Sequence, residues 1–496
     1  MLLFLLRTLN LKRERRLAPE RLAQVQHRRL KGLVRRTIQR SAFYREKYQG
    51  IDFDRFTLGD LPPTTKGELM ANFDRVVTDP AVTRAGLERF MDVPENAGHL
   101  FLDRYIVSHT SGSQGQPMLI VQDQKSLELA FRLQMTRGNN EKVGVREGIS
   151  RLIDPVRLAV VTLKRGFYPS ATLFQHMPAA ARRYVNVLWL SQTDPDLNRR
   201  LNDFRPQVLT GYAGVLEMLA LESEAGRLRL KPELRQVVNN SEALTDRAKA
   251  RIQSAFGLHV MNNYATGECI FLSNGCSTNA GAHINADWAI CEVVDEEYRP
   301  VPAGTPGQKV LITNLANGVQ PFIRYEVGDV VTMADTPCQC GSRLPRVARI
   351  EGRAADVFWV GEGTRRRRMI NLVFAHAIEY LRDVREWQAI QWDRQRVVVR
   401  LEPLPGAVLD LSRARQAIDR ELTTYNFQDV EVDFEVAPQL SADPETGKFR
   451  RMISLVENQA NKAVPPHRPT IGQGMIGTAI GSRRPNRPTS ANSGTR

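Results

Sequence analysis

The sequence predicts an α/β fold, in which a large domain of layered α/β subdomains precedes a small α+β domain. Between residues 158 and 272, helical stretches such as 213–225 alternate with β-rich runs such as 185–190 and 258–261. Such alternation is typical of layered α/β cores. After Gly352 the pattern changes to short strands around helices, which indicates an α+β arrangement.

The elements predict four segments. Residues 1–50 form a basic helical segment, because apolar side chains recur at helical spacing between arginines and lysines over residues 19–47. Residues 51–352 form the large domain and residues 353–458 the small one. Residues 459–496 are rich in Pro, Ser, Gly, Asn and Arg, which predicts a disordered basic tail. Other predicted elements are helices at 126–134, 372–381 and 411–422, strands at 396–401 and 430–436, and a β-rich stretch at 289–331.

The N-terminal residues predict neither a secretion signal nor a membrane span. The six apolar residues at the start run directly into Arg7 and the basic residues 12–16, whereas a secretory signal places its charges first. A membrane-spanning helix needs about 20 apolar residues. Five cysteines, an odd number, argue against a disulfide framework. We therefore expect a cytoplasmic protein.

The formal charge of +15 is concentrated at the two ends of the chain. Residues 1–50 hold fourteen Lys or Arg and three acidic residues, and residues 459–496 hold six and none, so the middle is nearly neutral. Neither end carries the interleaved aromatic residues that stack on bases, so we expect no specific nucleic acid partner. A solvated basic surface is favoured, and weak contact with anionic surfaces through the basic termini stays open.

Residues 107–117 read V-S-H-T-S-G-S-Q-G-Q-P, a loop that follows an apolar run. Gly112 and Gly115 permit backbone conformations that point successive N–H groups into one concavity, and Thr110, Ser111 and Ser113 add hydroxyl donors. These features predict a phosphate-binding loop, although a loop of this composition, taken alone, is more often an ordinary turn. The loop is not a Walker A motif, because no lysine follows Gly115.

Four further motifs follow in a fixed order, and together with the glycine loop they carry a family resemblance. They are N-N-Y-A-T-G-E at 262–268, P-F-I-R-Y-E-V-G-D at 321–329, I-E-G-R-A-A-D at 350–356 and T-G-K-F-R-R at 446–451. The chain resembles the adenylate-forming superfamily of acyl-CoA synthetases over about residues 20–455. Within it, residues 41–48 and 58–66 also resemble the phenylacetate-CoA ligase and capsule-biosynthesis-like branch.

The resemblance implies an ATP-dependent ligase that converts a small-molecule carboxylic acid to an acyl-adenylate and then to a coenzyme A thioester. The large domain would bind ATP and substrate. The glycine loop would hold the β- and γ-phosphates, and Glu268 would bind the bridging Mg²⁺, a cation that takes oxygen ligands. Tyr264 would lie against adenine, Asp329 would accept hydrogen bonds from ribose, and Arg353 would add positive charge nearby. Arg324 is expected to form an ion pair with Asp329.

Lys448 is the residue that the resemblance assigns to adenylation. A mobile cation that reaches the α-phosphate when the small domain closes can neutralise the charge of the transition state. Asp356 marks the expected pivot of that domain. Residues 211–214 are expected to line the acid pocket, but they do not identify the acid.

The chain departs from the family pattern at several positions. Ala265 and Gly267 stand at the usual Gly and Thr or Ser positions, Gln116 stands where the loop often has Lys, and four arginines occupy 365–368 near the expected thiol tunnel. The acceptor could therefore be an amine, a hydroxyl or a carrier-protein thiol instead of coenzyme A. A degenerate nucleotide-binding protein without turnover is the other alternative, and retention of Glu268 and Lys448 argues against it.

The remaining motif is a set of cysteine and histidine residues. Cys276 and His283 are separated by six residues, and Cys338 and Cys340 lie in C-Q-C-G, a predicted tight turn. Three thiols and one imidazole match the ligand set of a closed structural Zn²⁺ site. Alternatively, these residues bind no metal. Two groups carry no site prediction, namely the core thiols Cys269 and Cys291 and the packing or surface histidines His109 and His376.

Overall fold

The computed structural model describes most of the chain between residues 11 and 456. The described residues are 11, 13–110, 117–137, 154–162, 167–192, 194–240, 242, 244–278, 280–353, 357–361, 367–370, 372–379, 381, 383–424, 427–441 and 449–456. All of them belong to the first of the two units into which the chain divides, residues 1–457. The predicted tail, residues 459–496, lies outside the described residues.

Helices and strands alternate between residues 156 and 262, as predicted, and among the described residues five helices precede the first strand. The helices are α1 (Pro19–Arg40), α2 (Ala42–Lys47), α3 (Lys66–Ala71), α4 (Phe73–Val76), α5 (Arg84–Met91), α6 (Gln124–Arg137), α7 (Pro169–Gln175), α8 (Ala179–Arg182), α9 (Leu197–Phe204), α10 (Ala213–Glu224), α11 (Asp246–Phe256), α12 (Leu372–Glu379) and α13 (Leu411–Thr424). The strands are β1 (Tyr105–His109), β2 (Leu119–Asp123), β3 (Val156–Thr162), β4 (Val185–Ser191), β5 (Val208–Gly211), β6 (Gln236–Asn239), β7 (Val260–Asn262), β8 (Ser273–Gly275), β9 (Ala282–Ile284), β10 (Ala289–Val294), β11 (Lys309–Asn314), β12 (Tyr325–Val327), β13 (Asp329–Met333), β14 (Arg346–Arg353), β15 (Val357–Val360), β16 (Arg367–Ile370), β17 (Val384–Gln391), β18 (Arg396–Pro403), β19 (Glu431–Val436) and β20 (Met452–Ser454).

The predicted N-terminal helix is interrupted at Ser41. The backbone N–H of Ser41 donates to Thr37 O, which ends α1, and its hydroxyl accepts from the N–H of Tyr44 at the start of α2. A serine hydroxyl that receives a backbone N–H is a common helix N-cap. On the apolar face of α1, Leu33 and Val34 are fully buried and Ile38 is partly buried, as the amphipathic pattern predicted.

A five-stranded parallel sheet, in the order β4-β3-β5-β6-β7, forms the layered core. Helices α10 and α11 pack against it through Leu216, Leu219 and Ile252, all fully buried. Parallel strands end at one edge of a sheet, and ligands of open α/β sheets bind outside that carboxyl edge. A ligand site is therefore expected at the carboxyl ends of β5, β6 and β7.

Antiparallel sheets follow the parallel one. Strands β10, β11 and β12 form one sheet, and β13, β14, β9 and β8 form a second in that order. In the second sheet Asp329, the first residue of β13, pairs directly with Arg353, the last residue of β14. At the other end of β14, Arg346 pairs with His283 of β9.

The C-terminal region has its own mixed sheet, in the order β19-β18-β17-β20, and a hairpin of β15 and β16. Phe374, Trp387 and Ile418 belong to a separate hydrophobic cluster that contains residues of this region alone. The predicted α+β pattern is thereby confirmed. Among the described residues, no helix is both long and apolar enough to cross a membrane.

Candidate active site

Asparagine side chains connect the carboxyl ends of β5, β6 and β7. Asn240 donates from Nδ2 to Thr210 Oγ1 at 2.6 Å and accepts from Asn263 Nδ2 at 2.8 Å, and Asn239 donates to Asn262 Oδ1 at 2.7 Å. These bonds fix the backbone from which residues 262–268 leave the sheet. Asn239 and Asn240 were not predicted as site residues, although an Asn-Asn pair at the carboxyl end of a buried strand was a usable signal.

Tyr264 and Asp329, predicted from two separate motifs, are hydrogen-bonded to each other. The Tyr264 hydroxyl donates to Asp329 Oδ2 at 2.9 Å. The ring is buried, and its backbone N–H and carbonyl both bond to the hydroxyl of Ser273 in β8. The residue expected at adenine and the residue expected at ribose thus belong to one rigid arrangement.

Arg353 lies across from Asp329 in the β13–β14 pair. Residues opposite each other in an antiparallel pair have Cα atoms about 4.5–5.5 Å apart. The backbone therefore brings the third predicted nucleotide residue to the same place. The side chain of Arg353 and the whole of Asp356 lie outside the described residues.

Glu268 lies in a tight turn that approaches the base of the glycine loop. Thr266 and Cys269 bond to each other across this turn. A Cβ atom added at Gly267 would lie 2.8 Å from Ile120 Cδ1 and 3.3 Å from Thr110 Cγ2, so a larger residue here would require these side chains to shift. The Glu268 residue is 7% exposed, and no described residue pairs with its carboxylate.

Thr110 closes the base of the predicted phosphate loop. Its backbone N–H donates to Met118 O at 3.0 Å, and its hydroxyl accepts from the N–H of Met118 at 2.9 Å. The loop is thus the connection of a β1–β2 hairpin. The other loop residues predicted to contact phosphate lie outside the described residues, namely Ser111, Gly112, Ser113 and Gly115. Gln116, which stands where the family often has Lys, also lies outside them.

The expected ion pair between Arg324 and Asp329 is wrong. Arg324 pairs with Glu292 of β10, with Nη2 3.1 Å from Oε1, and donates from Nη1 to the Leu61 carbonyl at 2.8 Å. Its backbone φ is +44°, a left-handed value that is uncommon for a residue other than glycine. Burial raises the pKa of Glu292, and the Arg324 charge opposes that rise.

Residues 211–214, expected to line the acid pocket, lie where β5 leads into α10. The Tyr212 hydroxyl is 3.3 Å from Ser170 Oγ, and burial raises the pKa of Tyr212. A Cβ atom at Gly211 would lie 2.9 Å from Val161 O. Ser170 and Glu242, which accepts a hydrogen bond from Gly214, were not assigned from sequence because neither belongs to a recognisable motif.

Lys448 lies outside the described residues, but the residue after it does not. The backbone N–H of Phe449 donates to Glu242 Oε1 at 3.3 Å. Glu242 Oε2 accepts from the Gly214 N–H at 2.8 Å. The described chain therefore resumes, after Lys448, beside the predicted wall of the acid pocket.

The four predicted zinc ligands converge. The ligand atoms of Cys276, His283, Cys338 and Cys340 all lie within 4.8 Å of one another. Cys276 Sγ is 3.4 Å from Cys338 Sγ, and Cys340 Sγ is 3.3 Å from His283 Nε2. A tetrahedral ion with Zn–S of about 2.3 Å and Zn–N of about 2.0 Å requires ligand separations of about 3.3–3.8 Å.

Surrounding groups orient these ligands. His283 Nδ1 lies 3.2 Å from the Leu344 carbonyl, which leaves Nε2 to face the thiols. Metal-bound histidines are typically oriented by such a bond from the other ring nitrogen. Gly341, with φ of +76°, forms the turn after Cys340, and the N–H of Ser342 donates to Cys340 Sγ at 3.4 Å.

The remaining cysteines and histidines behave as packing residues where they are described. Cys269 is buried in the core, and Cys291 is partly buried against the same cluster. Burial raises the pKa of the Cys291 thiol to about 12. The His109 ring packs edge-on against the Tyr168 ring, with 5.1 Å between the ring centroids. The side chain of His376 lies outside the described residues.

Sequence comparison finds relatives in two curated proteins. Over 164 residues the chain is 30% identical to a phenylacetate-coenzyme A ligase from Thermus thermophilus, a match that covers 32% of this chain and 36% of that ligase. It is 21% identical over 394 residues to the protein CapK from Staphylococcus aureus, covering 77% of this chain and 78% of CapK. The first match thus spans only about a third of the ligase. No protein-family model matches the chain.

Among solved structures, the chain resembles 2-hydroxyisobutyryl-CoA ligase. In its postadenylation state with an acyl-AMP, that enzyme gives a TM-score of 0.67 at 20% identity, over 88% of this chain and 90% of the ligase. The same enzyme in its thioesterification state, with acyl-AMP and CoA, gives 0.55. The chain therefore shares the fold of 2-hydroxyisobutyryl-CoA ligase over most of its length.

Proposed function

We propose that this protein is an ATP-dependent ligase that activates a carboxylic acid as its acyl-adenylate and transfers the acyl group to coenzyme A. The observation that carries the proposal is the meeting of the Tyr264, Glu268 and Asp329 motifs beside Thr110 at the base of the glycine loop. Isolated surface acids would not be brought together in this way. Convergence of such residues at one place is expected of a functional site.

The nucleotide contacts follow from this arrangement. The Tyr264 ring is assigned to adenine, and the Asp329 carboxylate, oriented by the Tyr264 hydroxyl, is assigned to the ribose hydroxyls. Arg353, whose backbone pairs with that of Asp329 across the strands, is assigned to add positive charge near the ribose and phosphates. Thr110 positions the glycine loop, which is assigned to the β- and γ-phosphates.

Glu268 would hold a magnesium ion beside the phosphates. Its carboxylate is nearly buried, is unpaired among the described residues and lies in a turn against Thr110. A carboxylate oxygen of this kind is a suitable ligand for Mg²⁺. When bound, the ion neutralises charge on the phosphates as the α-phosphorus is attacked.

Lys448 is assigned to the transition state of adenylation. The acid's carboxylate oxygen attacks the α-phosphorus and pyrophosphate leaves, so negative charge increases on the α-phosphate oxygens. A lysine at that point stabilises the transition state more than the bound substrates. The contact between Phe449 and Glu242 supports this assignment, because it brings the chain next to Lys448 to the start of α10.

A screen of carboxylic acids for exchange of labelled pyrophosphate into ATP tests the proposal. We expect exchange with at least one class of acid, and we expect Lys448→Ala to lower it about 10²- to 10³-fold with ATP binding retained. Lys125→Ala, which removes an exposed lysine at the start of α6, is the matched control. A protein that binds ATP and exchanges with no acid would favour the degenerate nucleotide-binding alternative.

The acyl acceptor is tested separately with the acid found in the screen. Adding coenzyme A should release AMP and form a thioester, as the name of the Thermus relative suggests. Adenylate formation without a thioester would point to an amine, a hydroxyl or a carrier-protein thiol as the acceptor.

We also propose that Cys276, His283, Cys338 and Cys340 bind one structural Zn²⁺ ion. Their chemistry and separations fit the ion, and four protein ligands leave no position for a reacting water. The cluster lies beside Arg346 at one end of β14, and the nucleotide residues lie beside Arg353 at the other end. These two positions are seven residues apart, which is about 23 Å along a strand at about 3.3 Å per residue. The ion would therefore brace the sheet and would not contact substrate.

A further inference from the structure

A buried cluster of charged side chains joins the C-terminal region to helices α10 and α11. Arg451 forms a two-bond ion pair with Glu386 of β17, at 2.9 and 2.7 Å, and its side chain is only 12% exposed. The charge of Arg451 also interacts with Glu242 and Glu217 of the parallel-sheet region. Glu217 in turn pairs with Arg251 of α11 at 2.9 Å.

Glu242 is the member of this cluster that contacts both regions through backbone groups. One carboxylate oxygen accepts from Gly214 in the first turn of α10, and the other accepts from Phe449, more than 200 residues later in the chain. Burial raises the pKa of Glu242, while these two N–H groups and the Arg451 charge oppose the rise. Two N–H donors are best satisfied by the two oxygens of an ionised carboxylate.

The position of this contact links it to the chemistry. Phe449 directly follows Lys448, and consecutive Cα atoms are about 3.8 Å apart, so the contact restricts where the lysine backbone can lie. On the other side, Gly214 follows Tyr212 and Ala213, which are expected to line the acid pocket. A single carboxylate therefore sets the distance between the lysine-bearing segment and the pocket wall.

We propose that Glu242 is a positioning residue that holds Phe449, the residue directly after Lys448, at the start of α10 for the adenylation step. This inference rests on the proposed function and adds a residue to it. Glu242 does not itself contact the reacting atoms. The Arg451–Glu386 pair supports the arrangement by neutralising the carboxylates that face each other across the contact.

The two half-reactions should depend differently on Glu242. During adenylation, Lys448 must reach the α-phosphate while pyrophosphate leaves. In acyl transfer the carbonyl carbon is attacked by the thiolate of coenzyme A and AMP leaves, so no charge develops on a departing pyrophosphate. Loss of Glu242 should therefore slow the first step selectively.

The test compares Glu242→Ala and Glu242→Gln in the full chain. Glu242→Ala should lower the rate of pyrophosphate exchange about 10- to 100-fold, since misplacing a catalytic group by about 1 Å can cost about 10²-fold. Glu242→Gln should give an intermediate loss, because its amide offers one acceptor oxygen instead of two. The KM and the calorimetric Kd for ATP should stay within about twofold of wild type, the pattern of an interaction used in the transition state.

Two further measurements separate positioning from general structural damage. Thioester formation from synthetic acyl-adenylate and coenzyme A should be unchanged in both variants. Both variants should show one cooperative unfolding transition, and Glu242→Gln, which keeps one acceptor oxygen for the two N–H groups, should lose less thermal stability than Glu242→Ala. Glu222→Gln, which alters a glutamate paired with Arg227 at the far end of α10, should change neither half-reaction.

The outcomes distinguish this inference from the proposed function. Unchanged exchange in Glu242→Ala, or an equal loss in both half-reactions, would overturn the role of Glu242 while leaving the ligase proposal intact. Absence of exchange in the wild-type protein with every acid would instead count against the proposed function itself.

Discussion

The Tyr264 hydroxyl joins two motifs that are 65 residues apart in the chain. Its bond to Asp329 orients the carboxylate that is assigned to ribose. Because a hydrogen bond to a charged group contributes about 1.5–3 kcal/mol, the hydroxyl should matter to nucleotide affinity even if only the ring contacts adenine.

We therefore expect Tyr264→Phe to raise the KM for ATP about 3- to 10-fold with a smaller change in kcat, because the ring remains and only the orientation of Asp329 is lost. Steady-state kinetics of pyrophosphate exchange measure this. Tyr298→Phe is the matched control, since Tyr298 also donates its hydroxyl to a carboxylate, that of Glu326. Equal effects of the two substitutions would contradict a specific role for Tyr264.

At the residue scale, motif order was sufficient to predict which side chains would meet. Tyr264 and Asp329 were assigned from separate motifs and are in contact, and the four metal-ligand candidates converge. The partner of Arg324 was not predictable, because Glu292 belongs to a different strand and no motif connects them. Ion-pair partners depend on the register of distant strands, which a single sequence does not reveal.

At the scale of elements, the sheet of β8, β9, β13 and β14 depends on more than its hydrogen bonds. Strands β8 and β9 have three residues each, too few to bury a large apolar face. A Zn²⁺ ion shared by the end of β8, by β9 and by the loop before β14 would supply the missing cross-link. Metal binding to a folded site adds directly to the free energy of folding.

Cys338→Ser should accordingly lose the metal and lower the thermal unfolding midpoint before specific activity of the folded fraction falls. Elemental analysis should find about one zinc per wild-type chain and much less in the variant. Cys291→Ala, which changes a thiol outside the cluster, should keep the metal. A metal-free wild-type protein of full stability would rule out the site and leave the ligase proposal standing.

The N-terminal segment is attached to the core by a second buried cluster, and this one is sensitive to pH. Arg137 of α6 donates to both oxygens of Asp287, and Arg29 of α1 pairs with Asp287 and Glu14. Burial and the hydrogen bond with Asp287 raise the pKa of Glu14 to about 7. Burial also acts to raise the pKa of Asp287, but the Arg137 charge and hydrogen bonds hold it at about 2.

Stability should therefore decrease as pH rises through about 7. A carboxyl whose folded pKa lies above its unfolded value stabilises the fold fully below the unfolded value, and this contribution is lost as pH passes the folded pKa. Between pH 6 and 8 we expect the free energy of unfolding to fall by about 1 kcal/mol, a value that already allows for the partial exposure of the Glu14 side chain. Denaturant unfolding at both values, compared with Glu14→Gln, measures it. The glutamine variant should lack this component, and an identical pH dependence would exclude Glu14 as its source.

Element prediction succeeded where the periodic pattern was long. Helices α6, α10 and α13 and strand β18 appear close to their predicted positions. The break at Ser41 was missed because the apolar spacing continues across it, and the cap becomes evident only when the serine hydroxyl is seen to bond. The short strands β8 and β9 were beyond prediction, since three residues carry no recognisable alternation.

For the whole molecule, the location of charge has a testable consequence. The basic excess lies in the first fifty residues and in the tail, while the predicted active site is built from the nearly neutral middle. Removal of residues 461–496 should leave pyrophosphate exchange unchanged and weaken adsorption to vesicles of anionic lipid, an interaction that salt screens. Sedimentation with such vesicles and the exchange assay measure both effects. A folded but inactive truncation would show that the tail takes part in catalysis or assembly.

Each end of strand β14 pairs with a residue of a different proposed site. Its first residue pairs with the histidine of the proposed metal cluster, and its last pairs with the carboxylate assigned to ribose. The length of the strand therefore fixes the spacing between the two sites. Inserting or deleting one residue would move the side chains beyond that point to the opposite face of the sheet. Natural variation in chain length should be excluded from residues 346–353 and should accumulate instead in exposed turns such as the one at residues 295–299.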